Sequence, residues 1–101
     1  AVIGVNDNIA IGFMQEAQQH GIRIPYELSV CGIDGVTKEG FFPSLTTVIQ
    51  NYAAIAEKAF DYISDPGRPK GIVEIEEPVS LFVGESTGSL QKETAAFNAL
   101  Q

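Results

Sequence analysis

Four side chains that suit the binding of a small polyol lie at or just beyond the ends of predicted strands: Asn6, Asp34, Gln50 and Tyr52. In open parallel α/β sheets, ligands bind outside the carboxyl ends of the strands. A carboxylate and amides hydrogen-bond hydroxyl groups, and an aromatic ring covers the apolar face of a sugar. The residue types therefore favour a binding site for a hydroxylated small molecule.

The elements that must position these residues begin with a strand–helix–strand unit. The apolar run 1–5 is typical of a strand buried on both faces, and residues 28–33 form a second such strand. Between them a helical stripe ends at His20-Gly21 and comprises Ile9, Ala10, Phe13, Met14 and Ala17. We expect parallel strands joined by a right-handed crossover, which brings Asn6 and Asp34 to the same edge of the sheet.

The second half of the chain predicts a strand at 45–49 and another helix. Asn51 is a suitable N-cap, and Asp65-Pro66-Gly67 supplies turn chemistry at the far end. The apolar stripe of this helix consists of Tyr52, Ile55, Ala56, Ala59, Phe60 and Ile63. The remaining predicted elements are strand segments at 72–75 and 79–83 and a weak helix at 94–100 in the polar tail.

Each candidate ligand contact also has a structural interpretation. We expect Asp7 to be the N-cap of the first helix, which leaves Asn6, one position earlier, as the better candidate for a ligand contact. Asp34 can start a turn, Gln50 can simply end a strand, and Tyr52 can belong to the apolar stripe of its helix. Spacing alone leaves these alternatives open.

Other chemically active side chains are expected to be structural. His20 lies at a helix C-terminus, and Cys31 is a small hydrophobe in mid-strand. An acidic patch of solvated side chains is formed by Glu74, Glu76 and Glu77. The sequence contains no nucleophile elbow, phosphate-binding loop or zinc-ligand spacing. It therefore predicts no catalytic residue, no cofactor and no metal, which disfavours an enzyme.

The composition of the chain narrows the class of protein further. The 101 residues suffice for one small domain, and 45% of them are hydrophobic, which predicts a packed core. The formal charge of −7 argues against binding of these residues to the phosphate backbone of a nucleic acid. The single cysteine fits a reducing, cytoplasmic compartment, and no signal peptide or membrane span is predicted. Because the chain opens inside a strand-like run, we expect it to be cut from a larger protein.

Three motifs resemble the LacI/GalR family of bacterial transcription regulators. The first is AVIGVNDNIAIGFMQEAQQHGIRIPYELSVCGIDG, in which residues 21–34 follow the family template closely. The second is PSLTTVIQNY at 43–52, and the third is EPVSLFVGEST at 77–87. The motifs occur in the family's order and cover nearly all of residues 1–87.

The resemblance implies a Rossmann-like parallel-sheet lobe of a type I periplasmic-binding-protein-like fold. Family members join a DNA-binding headpiece to a two-lobed receptor core whose cleft binds the effector and controls operator affinity. This chain would be the last third of that core. Its residues are expected to divide into a C-terminal lobe (1–49 and 76–87), a crossover helix and linker packing on the N-terminal lobe (50–75) and a tail (88–101).

The resemblance also implies roles for particular residues. The effector-binding positions that match are again Asn6, Asp34, Gln50 and Tyr52. A face of the first helix matches a dimer contact, at Ile11, Gly12, Met14 and Gln15, and the loop 36–42 lies near that interface.

The implied partners are a small-molecule effector of the sugar type, a second copy of the chain in a dimer or swapped oligomer, and DNA only through a headpiece outside this chain. No membrane partner is expected. The alternative is a fragment of a periplasmic-type sugar receptor of a transporter.

Overall fold

The computed structural model describes residues 1–36 and 43–90 and shows an α/β architecture with one four-stranded sheet. The strand order is β1-β2-β3-β4, in which β1, β2 and β3 are parallel and β4 is antiparallel to β3. The loop predicted at 36–42, beyond its first residue, and the helix predicted at 94–100 lie outside the described residues. The elements are β1 (Val2–Ile3), α1 (Asp7–Gln19), β2 (Val30–Asp34), β3 (Thr46–Ile49), α2 (Tyr52–Ser64) and β4 (Ser80–Phe82).

The N-cap of helix α1 lies one residue earlier than expected. Asn6 is the N-cap, and its Oδ1 accepts a hydrogen bond from the Ile9 N–H at 2.9 Å. The prediction that Asp7 caps this helix is therefore wrong, although Asn and Asp are equally good caps in general. The helix ends at His20, and Gly21 follows with a φ of +80°, the left-handed conformation that glycine adopts without cost. The predicted stop is confirmed.

The core lies between α1 and the sheet. Its buried residues are Ala10, Ile11, Met14, Ala17, Ile24 and Val30. The buried face of α1 thus centres on Met14, whereas Ile9 and Phe13 of the predicted stripe are exposed. Strand β1 is covered by α1 on one side only, so Ile3 and Val5 are exposed and the prediction of a strand buried on both faces is wrong.

Helix α2 is capped as predicted but lacks a packing partner among the described residues. Asn51 Oδ1 accepts a hydrogen bond from the Ala54 N–H at 3.0 Å, and the helix ends at Asp65. No residue of α2 is buried, so its apolar stripe, with Phe60 and Ile63, faces outward. The Lys58 ammonium ties the helix to the following segment through the Glu76 carbonyl, at 2.9 Å, and the Glu77 carboxylate.

The segment after α2 forms one strand rather than two. Residues 72–75 form no strand and pair with no strand of the described chain, so the prediction of a strand there is wrong. A β-branched run needs a hydrogen-bonded neighbour to become a strand, and this one has none. The predicted segment 79–83 contains β4, whose Leu81 pairs with Val48 of β3.

A serine close to the end of the described residues joins β2 to β3 at their amino ends. Ser86 Oγ accepts a hydrogen bond from the Thr46 N–H at 2.8 Å and donates one to the Val30 carbonyl at 2.6 Å. The Thr46 hydroxyl bonds the Thr87 hydroxyl at 2.7 Å and accepts from the Gly84 N–H at 3.0 Å. The motifs at 43–52 and 77–87 therefore meet in space, because the hydroxyls of each satisfy polar groups of the other.

Candidate functional site

A carboxylate at the carboxyl end of β2 collects two side chains from the next connection. The Gln50 side-chain N–H donates to Asp34 Oδ1 at 3.0 Å, and the Tyr52 hydroxyl donates to the same oxygen at 2.7 Å. Among the described residues, nothing donates to Asp34 Oδ2. We call Asp34, Gln50 and Tyr52 the carboxylate cluster.

The local sequence explains why these residues meet. In the parallel register of β2 and β3, Asp34 lies opposite Ile49, so Gln50 is the first residue past the end of the sheet. Asn51 then caps α2 at once, which folds Tyr52 back over the strand ends at the first helical position. Tyr52 remains 53% exposed, so part of its side chain is open to solvent beside the carboxylate. An open ring next to a carboxylate and an amide can hold a hydroxylated ring compound.

The backbone at Asp34 is held in an unusual conformation. Its φ is +129°, a region that residues with a side chain seldom adopt, and Gly35 follows with a φ of +80°. Such conformations cluster at ligand-binding sites, where the surrounding structure must hold them. The alternative that Asp34 begins a turn is thus compatible with a binding role, since the turn itself directs the carboxylate toward Gln50 and Tyr52.

Asn6 lies apart from the carboxylate cluster in its hydrogen bonding. Its Oδ1 caps α1, and within residues 1–36 and 43–90 no hydrogen bond joins it to Asp34, Gln50 or Tyr52. Because β1 neighbours β2 in parallel, Asn6 still lies at the same edge of the sheet. Cap and ligand contact are both open to Asn6, since the amide N–H₂ group takes no part in the cap.

Two buried residues next to the cluster were missed by sequence reasoning. Asp7 and Thr47 are only 1% and 2% exposed, and the Thr47 hydroxyl donates to Asp7 Oδ1 at 2.5 Å. A signal for Thr47 was available: adjacent strand residues face opposite sides of a sheet, so the paired threonines 46 and 47 each need a partner on their own side. Asp7 carried no such signal, because its cap role was equally plausible.

The first helix places the predicted dimer residues in two different environments. Ile11 and Met14 are 5% and 1% exposed and belong to the core, so their side chains offer almost no surface to a partner. Burial in the core corrects the expectation for these two residues. Gly12 and Gln15 are exposed, and for them the dimer contact stays a prediction.

The remaining polar residues lie away from the carboxylate cluster. His20 Nε2 lies 3.1 Å from Glu16 Oε1 on the exposed surface of α1, and Cys31 is a half-buried thiol within β2. Within residues 1–36 and 43–90, no group of His, Cys, Asp and Glu residues is arranged to hold a metal ion. Neither helix in that part of the chain is long and apolar enough to cross a membrane.

The charge of the cluster changes the acidity of its tyrosine. The hydrogen bond to Asp34 raises the pKa of the Tyr52 phenol above its usual value, with smaller contributions from desolvation and from the negative charges of Asp34 and Asp7. Loss of the phenolic proton would place a second anion beside Asp34.

We expect Asp34→Asn to lower the pKa of Tyr52 toward about 10, because the charged acceptor is lost. The difference in ultraviolet tyrosinate absorbance between the protein and its Tyr52→Phe variant isolates this titration. Since the folded pKa is raised, the stability contributed by this hydrogen bond is present below about pH 10 and is lost as the pH rises through the folded pKa. An unchanged Tyr52 titration in Asp34→Asn would show that the two side chains do not interact in solution.

Comparison with known proteins identifies the class to which this fold and sheet-edge site belong. Residues 1–87 match the family model described as the periplasmic binding protein-like domain, and the chain belongs to that family. The resemblance in fold predicted from the sequence is confirmed: the chain is a partial periplasmic-binding-protein-like domain with a largely parallel, open sheet.

The similar proteins are transcription regulators of the LacI type. A LacI-type regulator structure from Bifidobacterium animalis subsp. lactis is 30% identical, with a TM-score of 0.73 over 86% of this chain. A LacI family regulator from Enterococcus faecium, solved with bound ribose, is 29% identical, with a TM-score of 0.70 over 88% of this chain. The HTH-type transcriptional repressor PurR of Vibrio atlanticus is 39% identical over 80 residues, or 74% of this chain. None of these relatives is described as an enzyme.

The chain matches only part of each relative. It spans 24% of the Vibrio atlanticus repressor, 32% of the Bifidobacterium regulator and 34% of the Enterococcus one. That residues 1–87 form the C-terminal third of such a core, divided between two lobes as described above, stays a prediction.

Proposed function

We propose that this chain is the effector-binding and dimerisation segment of a cytoplasmic LacI-type transcription regulator. In this proposal the carboxylate cluster holds hydroxyl groups of a sugar in the cleft between two lobes. Asn6 contributes its amide N–H₂ group, which takes no part in the cap, from the neighbouring strand end. Occupancy of the cleft changes operator affinity through a DNA-binding headpiece outside this chain.

The observation that carries the proposal is the convergence of Gln50 and Tyr52 on one oxygen of Asp34. This arrangement orients the carboxylate, and no described residue occupies Oδ2, which can then accept a hydrogen bond from a ligand hydroxyl. A hydrogen bond to a charged acceptor stabilises a complex by about 1.5–3 kcal/mol, roughly twice a neutral one. Two acceptor positions on Oδ2 suit a pair of adjacent hydroxyls, which is the pattern that a sugar presents.

The similar proteins support both parts of the proposal, a sugar as the effector and a transcription regulator as the class of protein. The Enterococcus regulator was solved with ribose, a compound whose hydroxyls have the chemistry that the cluster can bind. A transporter receptor with the same fold is the alternative raised by the sequence. The described relatives are transcription regulators, which favours the regulator.

Exposed apolar surface supports an assembly around this chain. The stripe of α2, with Phe60 and Ile63, lies open, as does the edge strand β1 with Ile3. Exposed apolar faces and unpaired strand edges promote association. We propose that the N-terminal lobe covers α2 and that a second copy contacts α1 at Gly12 and Gln15.

The test is a calorimetric titration of the full-length gene product with D-ribose, followed by other pentoses and hexoses. We expect saturable binding of at least one sugar and a loss of roughly 10- to 150-fold in affinity for Asp34→Ala, the equivalent of one charged hydrogen bond. The matched control is Asp61→Ala, which removes an exposed carboxylate of α2, and its affinity should equal that of the wild type.

Two results would overturn the proposal. Binding of no sugar by the wild-type protein excludes a sugar effector. Equal affinities of wild type and Asp34→Ala, with circular dichroism showing an intact fold, exclude the carboxylate cluster as the site.

A further inference from the structure

The buried pair Asp7 and Thr47 does more than complete the core. We propose that Asp7 and Thr47 are positioning residues that hold the turn after β2, and thereby keep the Asp34 carboxylate directed at Gln50 and Tyr52. What Asp34 binds rests on the function proposed above, whereas the positioning itself does not.

The contacts of the pair are directed at the backbone of the turn. Asp7 Oδ2 accepts a hydrogen bond from the Val36 N–H at 2.6 Å, and Thr47 Oγ1 accepts one from the Gly35 N–H at 3.2 Å. The Thr47 hydroxyl in turn donates a hydrogen bond to Asp7 Oδ1 at 2.5 Å. The backbone N–H groups of Gly35 and Val36, which immediately follow Asp34, therefore both donate to one hydrogen-bond network formed by Asp7 and Thr47.

The conformation of Asp34 requires such support. With a φ of +129°, Asp34 occupies backbone space that L-residues rarely adopt, and strained conformations persist only where the surrounding structure over-determines them. On the far side of the turn, the Gln50 N–H lies 3.5 Å from the Asp34 carbonyl oxygen, a weak contact. The stronger hydrogen bonds at 35 and 36 are the ones that can oppose relaxation of Asp34.

The burial of the pair makes the network rigid. Asp7 and Thr47 are 1% and 2% exposed, so water cannot readily replace either partner, and buried polar networks resist rearrangement when every member is satisfied. Within the described residues no buried side-chain polar atom lacks a partner. Loss of the Thr47 hydroxyl would leave the Gly35 N–H and one Asp7 oxygen unpaired, and the turn would be free to relax.

The test compares two substitutions at Thr47 in the full-length gene product. Thr47→Val keeps the shape and removes the hydroxyl, whereas Thr47→Ser keeps the hydroxyl. The first readout is the pKa of the Tyr52 phenol, taken from tyrosinate absorbance against a Tyr52→Phe background, because this pKa depends on the hydrogen bond to Asp34 and needs no ligand. The second readout is the affinity for D-ribose.

We expect Thr47→Val to lower the pKa of Tyr52 toward about 10 and to weaken D-ribose binding by roughly tenfold. Thr47→Ser should restore both quantities. The matched control is Thr46→Val at the preceding residue, which is also buried and whose hydroxyl hydrogen-bonds the Thr87 hydroxyl and the Gly84 N–H on the opposite face of the sheet. Thr46→Val should lower stability and leave the Tyr52 pKa and the affinity unchanged.

Each outcome decides one question. If Thr47→Val leaves the Tyr52 pKa at its wild-type value, or if Thr46→Val lowers it equally, the positioning role is wrong. If Thr47→Val does not fold, Thr47→Cys, with its weaker donor, must give an intermediate pKa, and a wild-type value there overturns the proposal. A wild type that binds none of the tested sugars, or an Asp34→Ala variant that binds a sugar as tightly as the wild type does, counts against the proposed function alone, since the Tyr52 readout still decides the positioning.

Discussion

We expect Gly32→Ala to lower the free energy of unfolding by about 3 kcal/mol or more, because the added methyl group has no room beside a buried carboxylate. A Cβ at position 32 would collide with Asp7 Oδ1 and would lie 3.0 Å from Leu45 Cδ2 and 3.2 Å from Asp7 Cα. Overpacking alone costs about 1–3 kcal/mol. Displacement of the Asp7 carboxylate from Thr47 and the Val36 N–H leaves buried polar groups unpaired, at about 1–3 kcal/mol each. Urea denaturation followed by circular dichroism measures the sum.

The control for Gly32→Ala is the same change in α1. A Cβ at Gly12 would meet no atom within 4 Å, and Gly12 is an exposed residue in the interior of the helix. Gly12→Ala should therefore raise the free energy of unfolding by about 0.5–1 kcal/mol, because alanine loses less backbone freedom on folding. A destabilisation of similar size in both variants would mean that the close contact with Asp7 is not the cause.

Met14→Ala is expected to lower the free energy of unfolding by about 2–5 kcal/mol. Met14 is among the largest fully buried side chains and packs with Ala10, Ala17 and Val30 beneath α1. Its truncation loses the transfer free energy of the removed atoms and leaves a cavity that the small neighbours cannot fill. Because few of residues 1–36 and 43–90 are buried, a cavity at Met14 removes a large share of the stability that this core provides.

Gln15→Ala is the matched control for Met14→Ala. Gln15 is the next residue of α1 and is exposed, so its truncation should change stability by no more than about 0.5 kcal/mol. Equal effects at positions 14 and 15 would contradict the assignment of the buried face. A loss of dimerisation in Gln15→Ala without a loss of stability would support the interface predicted for that face.

The local elements were predictable because their signals are local. Continuous apolar and β-branched runs predicted the strands at 28–33 and 45–49, and apolar stripes at helical spacing predicted helices that stop at His20-Gly21 and at Asp65-Pro66-Gly67. The structure confirms each of these elements within one or two residues at an end. The Asn51 cap was predicted correctly, since no competing cap residue stands beside it. The predicted strand at 72–75 failed for the opposite reason: pairing is a tertiary property, and β-branched residues cannot form a strand without a neighbour.

The candidate site was predictable in position but not in arrangement. Strand ends in a parallel sheet must share one edge, which placed Asp34 and Gln50 together before any coordinates were known. That Gln50 and Tyr52 would converge on a single oxygen of Asp34 depends on the register of β2 with β3 and on the strained backbone at Asp34. Neither the register nor the backbone conformation of Asp34 can be deduced from the spacing of residues along the chain.

The sequence by itself determined the family, the order of the elements other than the strand predicted at 72–75, and the edge of the sheet at which Asp34 and Gln50 lie, because periodicity and strand ends are readable from neighbouring residues. Only the tertiary structure decided whether Asn6 or Asp7 is the N-cap of α1. Both are good caps, and the choice was made by Val36 and Thr47, which lie 29 and 40 residues further along the chain and hold the Asp7 carboxylate in the core. A buried carboxylate requires hydrogen-bond donors, and here residues distant in sequence provide them. The side chain that finds such donors is buried, and its neighbour is left to cap the helix.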